Sequence, residues 1–365
     1  MKVMYLLFSF TVGGTERLVA NICNYMVLEN VEVHLYIVND LLDENLLNTL
    51  SPKIKVTLLK RKVGSKNKIL PLVEIAKYVK NNSIDIVHCN SFNAPDLLLF
   101  SKLINPKCKI VSTIHGMNQF DSVSKVRIFL KNQICDQFIG ISDAVKNDII
   151  KAGINKDKIV RIYNGINTAK YDCAKFKTFD KHHVVIGCIA RIMPKIKGQD
   201  ILLEAINLIK DKYPNILVLF AGGIAESQKD EYDVLKRYVE NNKLTKNVQF
   251  LGNVDNIPEF LNRIDICVIP SRSEGFGLAL IEALSMGVPT ISSNVEGPKE
   301  IVETENNGIL FESTSPIDLQ IKIEETIENY ISVKLDTWKI KEKIKEKYSI
   351  SKMCQYLICL YKKLN

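Results

Sequence analysis

Short apolar runs alternate with longer amphipathic stretches along most of this 365-residue chain. This alternation is typical of β–α–β units, in which each helix returns the chain to the same end of a parallel sheet. The runs are KVMYLLF, VEVHLYIV, IKVTLL, DIVH, KIVSTI, QFIGI and KIVRIY, then HHVVIGCIA, NILVLFAG, NVQFLG, DICVIP, VPTISS and GILF. The sequence therefore predicts an α/β protein with parallel sheets.

The length of the chain and one break in its pattern predict two domains. A single hydrophobic core stops growing at about 250–300 residues, and the alternation lapses between Asn167 and His182. We therefore expect Rossmann-like domains at residues 1–172 and 173–345. Residues 346–365 are predicted to form a packed helix, because their apolar side chains repeat at helical spacing. These side chains are Met353, Tyr356, Leu357, Leu360 and Tyr361.

Composition is that of a soluble globular protein, with 46% hydrophobic and 25% charged residues. The nine cysteines are scattered without a C-x-x-C pair, which favours reduced core residues over disulfides or a zinc site. The N-terminal apolar run is short and leads into Gly13-Gly14, so we interpret it as a strand and not a secretory signal. No run reaches the roughly 20 apolar residues of a transmembrane helix. We expect a cytoplasmic protein, either free or peripheral at the inner face of the cytoplasmic membrane.

The net charge of +8 is unevenly distributed. Residues 1–175 contain 24 Lys and Arg against 15 Asp and Glu, and residues 176–365 contain 25 against 26, giving +9 and −1. The segment Lys53–Lys68 is the most basic. It is either an ordinary solvated surface or a surface attracted to an anionic membrane. Nucleic acid is not expected as a partner, because no aromatic–basic interleaving or recognition motif accompanies the charge.

The stretch RSEGFGLALIEALSMGVPTISS, residues 272–293, carries the most specific chemical signal. Gly275 and Gly277 allow a tight turn after an apolar strand and before a helix near Leu278. The free N–H groups of a helix N-terminus suit a pyrophosphate. Glu282, about one turn into the helix, could accept hydrogen bonds from ribose hydroxyls, and Glu274 lies nearer to what extends beyond the phosphates.

This Glu-x7-Glu pair, in EGFGLALIE, resembles the signature of GT-B retaining glycosyltransferases and of glycosyltransferase family 4, the group 1 glycosyl transferases. The resemblance implies two Rossmann-like domains that face each other across a cleft, with the C-terminal helix crossing back onto the first. The first domain would bind the acceptor and the second the nucleotide sugar. Donor-binding residues in this signature would be Glu274, Gly275, Phe276, Gly277, Leu278 and Glu282.

A second segment, ARIMPKIKGQ, resembles the place where the family positions two cations on the donor phosphates. Arg191 and Lys197 match, although Ala190 replaces the usual glycine before the arginine. Cations there would stabilise a departing nucleoside diphosphate without a metal. Two surface cations are the other interpretation of this segment, and Lys195 is given no role.

Weaker matches complete the resemblance. Gly13 and Gly14 resemble the glycine loop that faces the donor phosphates, and His115, after the run KIVSTI, matches a histidine close to the transferred sugar. The backbone near Val254 corresponds to the part that holds the base. EGPKEIV, residues 296–302, resembles the loop before the last functional helix. His88 is equally consistent with a cleft residue and with a structural histidine.

The resemblance implies metal-independent transfer of a hexose or N-acetylhexosamine, most often from a UDP-sugar, to a saccharide or lipid-linked oligosaccharide in cell-surface polysaccharide biosynthesis. Glu274, His115, Arg191 and Lys197 would be catalytic, with no metal site and no cofactor. Three alternatives stay open: Glu274 as a covalent nucleophile, a nucleotide-sugar epimerase, and a non-catalytic partner of another glycosyltransferase. A dehydrogenase is disfavoured because Gly13-Gly14 does not extend to G-x-G-x-x-G.

Overall fold

A computed structural model describes residues 1–11, 13–65, 67, 69–171, 179–305 and 307–365. The chain divides into two compact units. Unit 1 comprises Met1–Ile166 together with Ile350–Asn365, and unit 2 comprises Asn167–Ser349. The C-terminal segment thus belongs to the same unit as the N-terminus.

Unit 1 contains a parallel sheet of seven strands within the described residues. They are β1 (Lys2–Leu7), β2 (Glu32–Asn39), β3 (Lys55–Arg61), β4 (Ile86–Cys89), β5 (Lys109–Ile114), β6 (Gln137–Gly140) and β7 (Ile159–Arg161). Their spatial order is β3-β2-β1-β4-β5-β6-β7, with every pairing parallel. The order reverses at β1 and β4, which is the place where ligands collect in doubly wound sheets.

Unit 2 repeats this architecture with six parallel strands in its described part. They are β8 (Val185–Ile189), β9 (Leu217–Ala221), β10 (Val248–Gly252), β11 (Ile266–Ile269), β12 (Thr290–Ser293) and β13 (Ile309–Phe311), in the order β10-β9-β8-β11-β12-β13. The predicted fold class, two Rossmann-like parallel α/β sheets, is confirmed. Each apolar run singled out in the sequence contains a strand.

Helices connect the strands of both units. In unit 1 they are α1 (Gly14–Leu28), α2 (Glu44–Leu47), α3 (Ile69–Asn81), α4 (Leu99–Ile104), α5 (Lys125–Ile134) and α6 (Asp143–Lys151). In unit 2 they are α7 (Pro194–Lys197), α8 (Gln199–Ile209), α9 (Lys229–Asn241), α10 (Ile257–Arg263), α11 (Leu278–Ser285), α12 (Glu296–Glu305), α13 (Pro316–Glu328) and α14 (Tyr330–Lys347). The last helix, α15 (Ile350–Leu364), returns to unit 1.

Helix α15 packs against the sheet of unit 1 through apolar side chains and through a buried polar contact. Met353, Leu357 and Tyr361 join the core cluster that also contains β1 and α1 side chains. The Tyr361 hydroxyl lies 2.5 Å from His88 Nδ1, and His88 Nε2 lies 2.7 Å from Thr113 Oγ1. Burial lowers the pKa of His88 to about 3, with a further contribution from His115, so its ring is neutral near pH 7. These contacts favour the structural interpretation of His88.

Two expectations about buried side chains are wrong in part. Tyr356 is 54% exposed because it lies on the outer face of α15, although its spacing matched that of the buried residues. Cys359, on the same helix, is also exposed, whereas the other described cysteines are buried. Cys173 falls outside the described residues. The periodicity predicted the helix and the direction of its buried face, but not which residues at the margins of that face are exposed.

The difference in net charge between the two parts of the chain is larger when it is counted over the two structural units. Unit 1 contains 25 Lys and Arg against 14 Asp and Glu, a net charge of +11, and unit 2 contains 24 against 27, a net charge of −3. The rise from +9 comes mainly from α15, which has three lysines and no acid. Part of the basic Lys53–Lys68 segment forms β3, at one edge of the sheet, while Lys66 and Lys68 are outside the described residues.

Among the residues that the structure describes, no helix has both the length and the apolar character needed to cross a bilayer.

Replacing Tyr361 with Phe should lower the free energy of unfolding by about 1–3 kcal/mol, because it leaves the buried His88 Nδ1 without its partner. Urea titration followed by circular dichroism measures this change. Tyr356→Phe on the exposed face of the same helix is the control and should stay within about 0.5 kcal/mol of the wild type. Equal stabilities for Tyr361→Phe and Tyr356→Phe would show that the His88 contact does not anchor α15.

Candidate functional site

The predicted site residues form two groups, one in each unit, and each group follows the carboxyl ends of parallel strands. In unit 2, Arg191 and Lys197 follow β8, Val254 follows β10, and Glu274 follows β11. In unit 1, Gly13 and Gly14 follow β1 and His115 follows β5. Loops at this edge of a parallel sheet are held by the sheet on one side and open to ligands on the other.

Lys197 and Glu274, 77 residues apart in sequence, form an ion pair in unit 2. Lys197 Nζ donates to Glu274 Oε2 at 2.6 Å, and both side chains are partly exposed. A ligand could replace each partner of this pair. The ammonium could bind a phosphate, and the carboxylate could accept hydrogen bonds from hydroxyl groups. The two residues that the sequence assigned to separate motifs therefore lie at one place.

Arg272 joins the two segments that carry this ion pair, helix α7 and the loop after β11. Its guanidinium makes a bidentate contact with Asp200, with both N–O distances at 2.7 Å, and also donates to the Pro194 carbonyl at 2.7 Å. Its backbone N–H donates to the Ile196 carbonyl. A fork-to-fork contact fixes distance and angle together, so Arg272 sets where Lys197 stands relative to Glu274.

The loop after β8 carries a solvent-exposed cation, Arg191. The Arg191 side chain is exposed, and no side chain among the described residues pairs with its guanidinium. Its backbone is fixed, because the buried Gln199 donates from Nε2 to the Arg191 carbonyl at 2.8 Å. Gly222 allows this close packing, since a Cβ there would lie 1.9 Å from the Ala190 carbonyl oxygen.

The turn Gly275-Phe276-Gly277 leads from β11 into α11. Gly277 has φ of 106°, a left-handed conformation that a side chain would strain, and it caps the helix that begins at Leu278. The Leu280 N–H donates to the Gly277 carbonyl at 3.1 Å, whereas N–H groups at the very start of a helix precede its hydrogen-bonding pattern and can bind an anion. The Phe276 side chain is buried against Tyr348, so only its backbone is presented at the turn.

Gly297, near the start of α12, lies directly against this turn. Its N–H donates to the Glu274 carbonyl at 3.3 Å. A Cβ on Gly297 would lie 2.5 Å from the Phe276 nitrogen and 2.7 Å from the Glu274 carbonyl oxygen. Because these are backbone atoms, any side chain at this position would displace the turn that carries Glu274.

Glu282 lies in α11 and accepts a hydrogen bond from the Tyr171 hydroxyl at 2.6 Å. This phenol orients the carboxylate that the sequence assigned to a ribose. Val254 lies two residues beyond β10 and is partly buried. The structure places it in a loop at the same edge of the sheet as Arg191.

Unit 1 has a pocket of about 490 Å³ at the carboxyl ends of β1, β4 and β5, lined by both polar and apolar side chains. His115 lies in its wall, with Nε2 3.3 Å from the Asn90 Oδ1 atom. Burial lowers the pKa of His115 to about 4, so the ring is neutral near pH 7. The Asn90 side chain is 4% exposed, and its Nδ2 has no hydrogen-bond partner among the described residues. A buried amide donor without a partner is costly unless a ligand or water satisfies it.

Gly13 and Gly14 begin α1 beside this pocket, whose wall includes Thr15 and Glu16. Gly13 is the N-cap and has an extended backbone that any residue can adopt. A glycine is needed there only because a side chain would lack room. A Cβ on Gly13 would lie 2.3 Å from the Glu16 carboxylate. The glycine loop and His115 are thus brought together in unit 1.

No cluster of three or more His, Cys, Asp or Glu side chains with metal-binding geometry occurs in the part of the chain that is described.

Comparison with known families assigns both halves of the chain. The family model described as glycosyl transferases group 1 matches residues 173–347, and that described as glycosyltransferase family 4 matches residues 12–170. An uncharacterised glycosyltransferase of Methanocaldococcus jannaschii is 30% identical over 261 residues, which cover 69% of this chain and 68% of that protein. The chain belongs to glycosyltransferase family 4. It is therefore a glycosyltransferase.

Two further similarities are informative. The UDP-Gal:α-D-GlcNAc-diphosphoundecaprenol α-1,3-galactosyltransferase of Escherichia coli is 28% identical over 265 residues, 66% of each chain. The crystal structure of HepE from Anabaena in complex with UDP matches the fold with a TM-score of 0.83 at 20% identity, over 100% of both chains. The predicted GT-B fold is thereby confirmed. Alignments with curated relatives span 58–68% of the lengths of those proteins.

Sequence reasoning missed the residues that position the site. Arg272 and Asp200 look like ordinary loop and helix residues until the fold brings them together across 72 positions. Tyr171 lies in a stretch without periodicity, and Asn90 follows a strand as an unremarkable amide. Only the place of Arg272 and Asn90 directly after predicted strands could have drawn attention to them.

Gly297→Ala should reduce the transfer rate on the order of tenfold to hundredfold, because its Cβ displaces the turn that carries Glu274. Initial rates of nucleotide release measure the effect. Glu296→Ala, at the exposed neighbouring position, is the control and should retain activity. An active Gly297→Ala would mean that the turn does not need its present position.

Proposed function

We propose that this protein is a retaining glycosyltransferase that transfers a hexose or N-acetylhexosamine from a UDP-sugar to a saccharide or lipid-linked oligosaccharide in cell-surface polysaccharide biosynthesis. The observation that carries the proposal is the Lys197–Glu274 ion pair, together with the exposed guanidinium of Arg191, which follows the same strand β8 as Lys197. Unit 2 would bind the donor and unit 1 the acceptor.

The cation arrangement suits a nucleoside diphosphate. Arg191 and Lys197 would contact the diphosphate, while the N-terminus of α11 with its Gly275–Gly277 turn would contribute backbone N–H groups. Glu282, already oriented by Tyr171, would accept hydrogen bonds from the ribose hydroxyls, and the backbone near Val254 would contact the base. The E. coli relative, whose name specifies UDP-Gal, supports uridine as the base.

Binding would exchange the partners of the ion pair. Lys197 would move from Glu274 to the diphosphate, and the released carboxylate would accept hydrogen bonds from sugar hydroxyls. Arg272 joins α7, which ends at Lys197, to the loop that carries Glu274, so the exchange would need side-chain rotation only. The ion pair thus keeps the empty site ordered and gives each group its ligand partner when the donor arrives.

The reaction would proceed with retention of configuration. The bond between the anomeric carbon and the diphosphate oxygen breaks as the acceptor hydroxyl forms its bond on the same face. A diphosphate oxygen takes the proton of that hydroxyl, so no separate general base is required. Arg191, Lys197 and the dipole of α11 stabilise the charge that develops on the diphosphate. Neutral His115 would steady the sugar near the anomeric carbon.

The pocket in unit 1 favours an uncharged acceptor sugar. Apart from Glu16, the described side chains that line it are neutral near pH 7, including His115. Asn90, Ser91 and Asn93 supply amide and hydroxyl groups that suit sugar hydroxyls. A carboxylate acceptor would meet a like charge at Glu16 and no compensating cation in this lining. The lipid diphosphate acceptor named for the E. coli relative carries a neutral sugar at its reacting end.

Lys197→Ala should weaken UDP binding about tenfold to hundredfold, because one charge-assisted hydrogen bond to the diphosphate is lost. Isothermal titration calorimetry with and without magnesium measures the affinity. Lys195→Ala removes a nearby lysine that is highly exposed and paired with Glu231, and should bind UDP as the wild type does. Equal losses in both variants would point to general electrostatic attraction and against a defined diphosphate site.

The reaction itself is tested by incubating the protein with UDP-glucose, UDP-galactose and their N-acetylated counterparts, with and without saccharide acceptors, and recording proton NMR spectra. An α-linked product from the α-linked donor supports retention. An inverted product would contradict the proposed mechanism. A new sugar nucleotide formed from donor alone would indicate an epimerase, and UDP binding without turnover would support a non-catalytic partner.

A further inference from the structure

Asn90 and His115 are the first residues after two neighbouring strands of the unit 1 sheet. Asn90 follows β4 and His115 follows β5, and these strands pair in parallel with Cys89 opposite Ser112. Because paired parallel strands end side by side, the two side chains meet at the wall of the unit 1 pocket, where His115 Nε2 lies 3.3 Å from Asn90 Oδ1. The contact therefore follows from the pairing of β4 with β5.

A buried layer of the same two strands supports this contact. Two residues earlier on each strand, His88 Nε2 lies 2.7 Å from Thr113 Oγ1. Alternate side chains of a strand lie on one face of the sheet, so this pair precedes the Asn90–His115 pair on the same face. His88, Thr113 and Asn90 are all buried. A side chain in such close packing has few alternative rotamers, and Asn90 is therefore held in place.

The Asn90 oxygen determines which nitrogen of the His115 ring carries the proton. An amide oxygen can only accept a hydrogen bond, so the proton lies on Nε2 and donates to Oδ1. Nδ1 of the neutral ring is then an acceptor. A carboxylate in the same place would favour the imidazolium, whereas an amide adds no charge. Asparagine thus fixes the tautomer without protonating the ring.

Three titratable groups surround this contact on neighbouring elements, namely Glu16 on α1, His88 on β4 and Lys131 on α5. Glu16 lines the same pocket. His88 is uncharged near pH 7, and Lys131 is paired with Asp96 at 2.7 Å. Burial alone lowers the pKa of His115, to about 4. In the part of the chain that is described, none of the three forms a hydrogen bond with the His115 ring.

The Asn90 amide has a second polar group, Nδ2, that the protein leaves unused. It is buried and has no hydrogen-bond partner among the residues that the structure describes, although Asn90 lines the pocket. A buried donor without a partner is costly, so a purely structural asparagine would be expected to use both ends of its amide. Nδ2 is suited to an oxygen of a ligand in the pocket.

We propose that Asn90 is a positioning residue for His115: its Oδ1 accepts the Nε2 proton and holds the ring as the uncharged tautomer with an unprotonated Nδ1, while its Nδ2 donates to an oxygen of the sugar in the pocket. The inference rests on the proposed function in one respect, since the ligand is taken to be a sugar of the transfer reaction. The fixing of the ring needs no ligand.

NMR spectroscopy of the full chain labelled with ¹⁵N-histidine tests the contact, because ring nitrogen shifts distinguish the two tautomers and the imidazolium. His115→Gln identifies the His115 signals by their loss. The wild type should show a neutral His115 ring with its proton on Nε2 at pH 7. Asn90→Asp should convert the ring to the imidazolium at pH 7, because the carboxylate raises its pKa.

Asn93→Asp is the matched control for added charge. Asn93 is exposed and lines the same pocket, but its Oδ1 accepts from Arg127 at 2.8 Å and not from His115. This variant should leave the His115 ring neutral at pH 7. An imidazolium in both variants would indicate a general effect of charge in the pocket and would contradict a specific role of Asn90.

The pH dependence of UDP release, measured with UDP-glucose and UDP-galactose, separates positioning from a merely structural role. The wild-type rate should not follow the ionisation of His115 between about pH 6 and 9, because burial lowers its pKa to about 4. In Asn90→Asp the raised pKa keeps the ring charged at the acidic end, so the rate should rise on the order of tenfold as the ring loses its proton. A loss of about threefold to tenfold should remain at the alkaline plateau, because aspartate lacks the Nδ2 donor.

Two results would overturn the inference: a wild-type His115 ring with its proton on Nδ1, or the same ring state and pH profile in Asn90→Asp as in the wild type. Full recovery of the rate at the alkaline plateau would contradict the role of Nδ2. UDP affinity should be unchanged in Asn90→Asp, because the proposed nucleotide site is in unit 2. A wild type that turns over no UDP-sugar would contradict the proposed function, whereas the His115 ring state, which is measured without substrate, still decides whether Asn90 fixes the tautomer.

Discussion

Parallel pairing is the constraint on which the candidate site depends. Because every described strand of each sheet points the same way, the loops that follow the strands gather at one edge, whatever their distance in sequence. This brings Lys197 to Glu274, and in unit 1 it brings His115 to Asn90. Local contacts then fix each segment. In unit 2 these are the ion pair of Arg272 with Asp200, the hydrogen bond from Gln199 to the Arg191 carbonyl, and the close packing of Gly297 against the turn after Glu274.

The fold was predictable because its determinants are local. Each buried strand is a short apolar run, and helix starts such as Ser142 before α6 follow from the capping of N–H groups by a hydroxyl. The four-residue helix α2 was not anticipated, since one turn leaves no periodic signal. The exposure of Tyr356 was also unpredicted, because spacing gives the direction of a helix face but not where its neighbours end.

Sequence motifs predicted only part of the candidate site. Glu274, Lys197 and Arg191 were predicted as site residues because their residue types and spacing resemble a known signature, while the ion pair between the first two is a product of the fold. Arg272, Tyr171 and Asn90 act through contacts across many residues and have no local signal. The buried position of Lys131 on α5 likewise depends on Asp96, which lies on another element and pairs with the lysine at 2.7 Å.

A crystal structure of the protein with intact UDP-sugar tests the central claim, that the Lys197–Glu274 ion pair is a resting form of the donor site. The account predicts that Lys197 leaves Glu274 for the diphosphate, that Glu274 contacts sugar hydroxyls, and that Glu282 contacts the ribose. Binding of the nucleotide elsewhere, with the 2.6 Å ion pair unchanged, would contradict it.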